Sequence, residues 1–105
     1  MLVAELFFGR TIKGGGFVTE ALWEKFLREV ITTHFPDGYT VFDGVGGWRA
    51  AEAGGTARDP TKILLVAAKR SPDLAGRLNT VMEAYKTRFH QQSVGIITRD
   101  SCAAF

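Results

Sequence analysis

An α+β domain of ferredoxin-like type, a four-stranded antiparallel sheet with two helices on one face, is the fold class the sequence predicts. Three observations carry it: short apolar stretches with period-two alternation, two longer stretches with three- and four-residue spacing between them, and glycine or proline punctuation at the joins. Their order, β-α-β-β-α-β over nearly the whole chain, is that of the split βαβ arrangement. With 105 residues, 46% hydrophobic and 23% charged, the chain holds one core and no second domain. Eight Phe and two Trp exclude a disordered tail, and a single Cys, Cys102, excludes a disulfide scaffold.

The first strand runs from Leu2 to Phe8. Leu2, Ala4, Leu6 and Phe8 share one face; Val3, Glu5 and Phe7 share the other, so both sides are apolar except at Glu5. Gly9 ends it, and Gly14-Gly15-Gly16 forms a loop. From Thr19 a helix follows, with Leu22, Trp23, Phe26, Leu27, Val30 and Ile31 on one stripe and charged residues opposite. Thr19 is its expected N-cap, and Pro36 stops it near His34. Asp37-Gly38 turns the chain into a second strand, Tyr39 to Phe42, which continues toward Trp48 through a stretch weakened by Gly44, Gly46 and Gly47. Ala50 to Pro60, small and polar, reads as a loop, and Lys62 to Ala68 as a third strand. Ser71 is the expected cap of a second helix whose stripe is Leu74, Leu78, Val81, Met82, Tyr85 and Phe89. Ser93 to Thr98 closes the sheet as the fourth strand.

Two helices cover one face of such a sheet, and the other has no cover from this chain. Either assignment of the first strand leaves apolar side chains there, so the expected partner is a second copy of the chain, in a dimer or trimer, or a ligand. Thirteen basic against eleven acidic residues, scattered rather than blocked, give no footprint for nucleic acid. The longest apolar run, Ile63 to Ala68, is far below the roughly 20 residues of a membrane helix, so no membrane partner is expected. Met1 leads straight into the first strand without a leader, which reads as cytoplasmic as written, or as periplasmic or exported if a leader has been removed.

Four separated motifs, Glu5-Leu6-Phe7-Phe8-Gly9-Arg10, Phe35-Pro36-Asp37-Gly38-Tyr39-Thr40-Val41, Gly47-Trp48-Arg49 and Tyr85-Lys86-Thr87-Arg88-Phe89-His90-Gln91, run through the chain. Together they resemble a small bacterial family, domain of unknown function 3574. The resemblance implies no enzyme activity to inherit, and many of its members look exported. The sequence departs from the family's pattern at Thr32-Thr33-His34, where relatives tend toward Thr-Pro-Arg; His34 is only partly charged at neutral pH.

Among the residues themselves, Glu5 is the first candidate for chemistry. A carboxylate in an apolar strand must pair, hydrate or stay protonated, and burial would raise its pKa into the range of a general acid or base. The competing reading is a cross-strand ion pair with Arg99 or Lys62. Trp48 and Arg49 offer a stacking surface and a bidentate anion clamp, or else a core plug and a solvated cation. Tyr85 and Arg88, three apart, share a helix surface and are read as a phenol and a cation facing one site, against Tyr85 as a core residue. Phe7 and His34 complete the candidate ligand-binding set, although a helix C-terminus alone explains His34. With one Cys, two His and no ligand spacing, no metal and no cofactor are expected. Lys13 beside three glycines lacks the Walker pattern, since Phe17-Val18 follows.

Two function classes follow. The first is a small-molecule-binding domain, in its catalytic form a cofactor-free isomerase or lyase in which Glu5 moves a proton and Arg49 holds an anionic ligand group, sited on the open face or at a subunit junction. The second is a non-enzymatic oligomeric interaction or regulatory protein, including, by fold analogy, a nucleotide-responsive regulator using residues 43–61.

Overall fold

The computed structural model describes the backbone of residues 1–50 and 55–104, and the side chains of all of these except 48–50, 55 and 56. Strand β1 (Leu2–Gly9) leads through a glycine loop to a first helical rod, β2 (Thr40–Ala50) and β3 (Gly55–Ala68) form a long hairpin, and helix α3 (Leu74–Phe89) precedes β4 (Gly95–Asp100). The sheet order is β2-β3-β1-β4 with every neighbouring pair antiparallel, which is the α+β, ferredoxin-like arrangement the periodicities predict.

The first rod is one helix in three pieces: α1 (Glu20–Phe26), a π-helical turn (Leu27–Ile31) and α2 (Thr32–His34). Thr19 caps it as expected, its Oγ1 accepting from the Leu22 amide at 3.2 Å. The wider π turn is a departure from uniform α spacing. Trp23, Phe26, Val30 and Ile31 nonetheless all lie buried. Helix α3 begins at Leu74 rather than at a Ser71 cap, because the Ser71 hydroxyl donates to the Asp73 carboxylate at 2.6 Å instead of capping an amide. That bond holds the Asp73 carboxyl below its usual range.

The largest revision concerns residues 55–60. Read from composition as loop, they extend β3 and pair with β2, Pro60 opposite Val45 and Asp59 opposite Gly46. Proline survives there because no donor is asked of it: Gly9 pairs with Thr61, past it the Arg10 amide donates to the Pro60 carbonyl at 3.0 Å, and the Arg10 carbonyl accepts instead from the Val18 amide at 2.8 Å. The fourth strand likewise lies two residues later than its predicted span, at Gly95–Asp100.

The core fills the helix side of the sheet. Ala4, Leu6, Phe8, Leu64 and Val66 meet Trp23, Phe26, Ile31, Val81 and Phe89. Phe8 is its centre, with ring centroids 4.7 Å from Tyr85, 5.3 Å from Trp23 and 6.2 Å from Phe26.

Candidate functional site

Residues paired across an antiparallel sheet share a face, so the register lays out the uncovered side in rows. One row is Phe42–Ile63–Phe7–Gly95, the next Thr40–Leu65–Glu5–Ile97, and the third Ala67–Val3–Arg99. In the other direction come Gly44–Thr61–Gly9 and then Gly46–Asp59. The open face therefore has two halves, an apolar half around Phe7 and a half where glycines replace side chains.

The apolar half carries Glu5, with Phe42 and Ile97 exposed at its margins. Arg99 Nη1 donates to Glu5 Oε1 from the diagonal position on β4, so the carboxylate takes the cross-strand ion pair with Arg99 rather than with Lys62.

In the glycine half, Gly9, Gly44 and Gly46 leave room for neighbouring side chains to lie across the strands, as Gly95 does for Phe7. A Cβ on Gly44 would lie 2.9 Å from Ile63 Cδ1, one on Gly46 3.3 Å from Thr61 Oγ1, and one on Gly9 2.5 Å from Asp59 Oδ2. A cleft of about 600 Å³ opens over this floor, with Phe7 at one end and Thr11, Lys13, Asp59, His90 and Gln91 around it. Asp59 Oδ1 accepts from the Thr11 amide at 3.1 Å and the Thr11 hydroxyl at 2.6 Å, and Gln91 Nε2 donates to the Thr11 carbonyl at 2.9 Å. Three separate segments are thus tied together at the cleft. His90, in a left-handed conformation with φ 52°, ends α3 there.

Behind the sheet, on the helix side, Lys62 is buried, with Nζ 2.7 Å from both Glu20 Oε1 and Asp43 Oδ1; Arg10 reaches the same Glu20 at 3.2 Å and donates from Nε to the Val18 carbonyl at 2.9 Å. Burial works against the charge on Lys62, but the two carboxylates outweigh it and hold the ammonium above the usual lysine range.

Of the residues singled out from sequence, Glu5 and Phe7 come together on the open face. Tyr85 lies on the other side of the sheet, fully buried, its hydroxyl donating to the Gly9 carbonyl at 2.6 Å; burial, followed by the charge of Asp59, pushes its pKa well above the ordinary phenol value. Arg88 is on the outer helix surface, paired with Glu29 at 2.9 Å and over the Phe26 ring, away from the open face. His34 ends the first rod, where Nδ1 donates to the Val30 carbonyl at 2.9 Å. Trp48 and Arg49 lie on β2 opposite Ala57 and Thr56, and their side chains are outside the described residues. Asp59 was not singled out because 50–60 reads as loop, Thr11 has no pattern around it, and Gln91 entered only as the end of a family motif. The signal for them was the Gly44, Gly46 alternation, which leaves one face of a strand bare. Among the described residues no group of three or more His, Cys, Asp or Glu side chains is placed to hold a metal.

A split-βαβ domain with a cleft at one end of its uncovered face is the class these features define. The chain belongs to the family described as Protein of unknown function (DUF3574), which it matches over residues 3–105. No curated protein matches it. Among solved structures it is similar to a phage SAM lyase in complex with S-methyl-5′-thioadenosine, with 12% identity, a TM-score of 0.69, and 94% of this chain and 80% of that one covered. The apo state of a phage SAM lyase aligns with 13% identity, a TM-score of 0.68, and 93% and 78% coverage. At such identities the likeness is one of fold.

Proposed function

We propose that the protein binds a small molecule in the glycine-floored cleft and, in its catalytic form, is a cofactor-free lyase. The observation that carries this reading is the cleft itself, about 600 Å³ at one end of the open face, where Phe7, Thr11, Asp59, Thr61, His90 and Gln91 surround a floor that includes Gly9, Gly46 and Gly95. Its glycines let the Asp59 and Thr61 side chains lie flat against the strands, which leaves the space above them open. The phage lyase solved with a nucleoside on a similar fold supports a ligand of that size. Glu5, one row beyond Phe7, is the proton acceptor of the proposed elimination. When an anionic ligand group takes over Arg99, the freed carboxylate removes a C–H proton, the C–H pair becomes the new double bond, and the leaving group departs with its own bonding pair. Arg99 fills at Glu5 the role that Arg49 holds in the sequence reading.

Calorimetric titration with S-methyl-5′-thioadenosine, and incubation with the parent sulfonium nucleoside followed by chromatography, test this. Binding to the native chain and its loss in Gly46→Val, which fills the floor, are expected. Undiminished binding in that variant sinks the cleft, and undiminished turnover in Glu5→Gln sinks the elimination.

A second reading, self-association through the apolar half, is favoured by Phe42 and Ile97, 44% and 54% exposed, flanking Ile63, Leu65 and Phe7. The Glu5–Arg99 pair is self-complementary about a two-fold axis. Sedimentation of the native chain against Ile97→Lys decides it: a native monomer removes this reading.

A further inference from the structure

We propose that Asp59 is the recognition group of the cleft and that it takes a vicinal diol, the paired hydroxyls of a sugar ring; this rests on the cleft being the ligand site. The two oxygens of Asp59 are in different situations. Oδ1 is occupied by both donors of Thr11, and Gln91 fixes Thr11 in turn, so the carboxylate is held in one orientation before any ligand arrives. Oδ2 makes no hydrogen bond and no ion pair to the described residues, and it stands over the bare Cα of Gly9, where a Cβ would approach to 2.5 Å. A carboxylate oxygen with free lone pairs, fixed on the floor of a cleft, is an acceptor for ligand donors.

Charge narrows the class of donor. Lys13 lies on the rim of the same cleft with no ion pair among the described residues. A cation on the rim does not favour a cationic ligand, whereas a neutral pair of hydroxyls bonds to Oδ2 with no added charge to desolvate. Two adjacent hydroxyls also match one oxygen that has two acceptor positions, and the absence of a Cβ at Gly9 lets that oxygen lie low on the floor with the cleft open above it. Thr61 Oγ1 donates to the Asp59 carbonyl at 2.9 Å, which fixes the backbone under the carboxylate.

The diol of a nucleoside and that of a free sugar share this chemistry, and the test separates them. The full chain is titrated with S-methyl-5′-thioadenosine, its 2′-deoxy analogue, adenine and ribose, reading affinity by calorimetry and the Thr11 and Gln91 amides by NMR. The nucleoside is expected to bind and shift both amides, its deoxy analogue to bind roughly tenfold more weakly, and ribose alone to bind only if a free sugar is the source. Asp59→Asn keeps an oxygen for Thr11 and puts an amide donor in place of Oδ2, so it should bind both nucleosides alike and weakly. Gly9→Ala, which crowds Oδ2, should act in the same direction. If the native chain binds nucleoside and deoxy analogue equally, the diol assignment is overturned while the cleft stands. If no probe binds or moves either amide, the cleft reading falls for this ligand class and the diol assignment falls with it.

Discussion

Strand β1 presents two surfaces of similar composition and opposite fate. Leu6 and Phe8 face the helices at 0% exposure, while Glu5 and Phe7, one residue along, face the uncovered side and remain partly exposed. Both rows are aromatic and aliphatic, so hydrophobicity alone does not separate them. What separates them is coverage. On the helix side the rings of Phe8, Trp23, Phe26, Tyr85 and Phe89 all have partner rings within the centroid range of aromatic contact, and the buried Lys62 has two carboxylates. On the open side Glu5 has one cation and Asp59 has one oxygen without a partner among the described residues, and a cleft opens above Asp59. Stability is concentrated on the first surface, and the proposed recognition falls on the second.

The sharpest way to break this contrast is a pair of truncations on adjacent residues. Phe8→Ala removes the centre of the aromatic cluster and should cost about 3–5 kcal/mol. Phe7→Ala, on the open face, should cost less than about 1.5 kcal/mol. Denaturant titration of the two variants checks both, and equal losses would mean that the open face is as much core as the covered one.

Lys62 comes next. Removing it in Lys62→Met deletes two charge-assisted hydrogen bonds, an expected loss of about 1.5–3 kcal/mol. The loss stays at this level because Glu20 and Asp43 are 62% and 68% exposed and hydrate once released. The pH dependence has a definite sign. The folded pKa of Lys62 lies above its ordinary value of 10.5, so its contribution is complete below that pH and is lost as pH rises through the folded value. Native stability should fall above about pH 10.5, and Lys62→Met should flatten that fall.

Tyr85 acts in the same window with a smaller effect at neutral pH. Its raised pKa means that the unfolded phenol ionises first, near its ordinary value of 10.0, and draws the chain toward unfolding above that pH. Tyr85→Phe should lose about 1 kcal/mol at pH 7 with the Gly9 hydrogen bond. It should also descend less steeply between pH 10 and 12. A slope identical to the native one at both sites would remove these two groups as the source of alkaline unfolding.

The same contrast explains what could be read from the sequence. Alternation in Leu2–Phe8 and the stripes from Leu22 and Leu74 are direct imprints of burial on one side, so the strand and helix order was legible. Burial of Lys62 was not, since nothing local distinguishes a lysine that meets Asp43 across a hairpin and Glu20 from a helix end from one that meets water. The hairpin arm at 55–60 was missed for a related reason. Proline and glycine there signal a loop unless the partner strand and its free edge are known. The cleft inherits that miss, because Asp59 stands on the misread segment, its partner Thr11 is 48 positions away in sequence, and the Gln91 that holds Thr11 is a further 80 from Thr11. Glu5 was legible as an anomaly, and Arg99 as one of its two candidate partners.

The smallest effect expected is on that pair. Arg99 and Glu5 are 53% and 26% exposed, so water competes for both and salt screens them. A double-mutant cycle with Glu5→Gln and Arg99→Ala should give a coupling of about 0.2–1 kcal/mol at low salt, shrinking in 1 M salt. Such a value leaves the carboxylate available: a ligand anion need only outcompete a weak surface pair to free it, as the proposed elimination requires. A coupling of several kcal/mol would instead make Glu5 a structural element of the sheet, and the open face would lose its one candidate base.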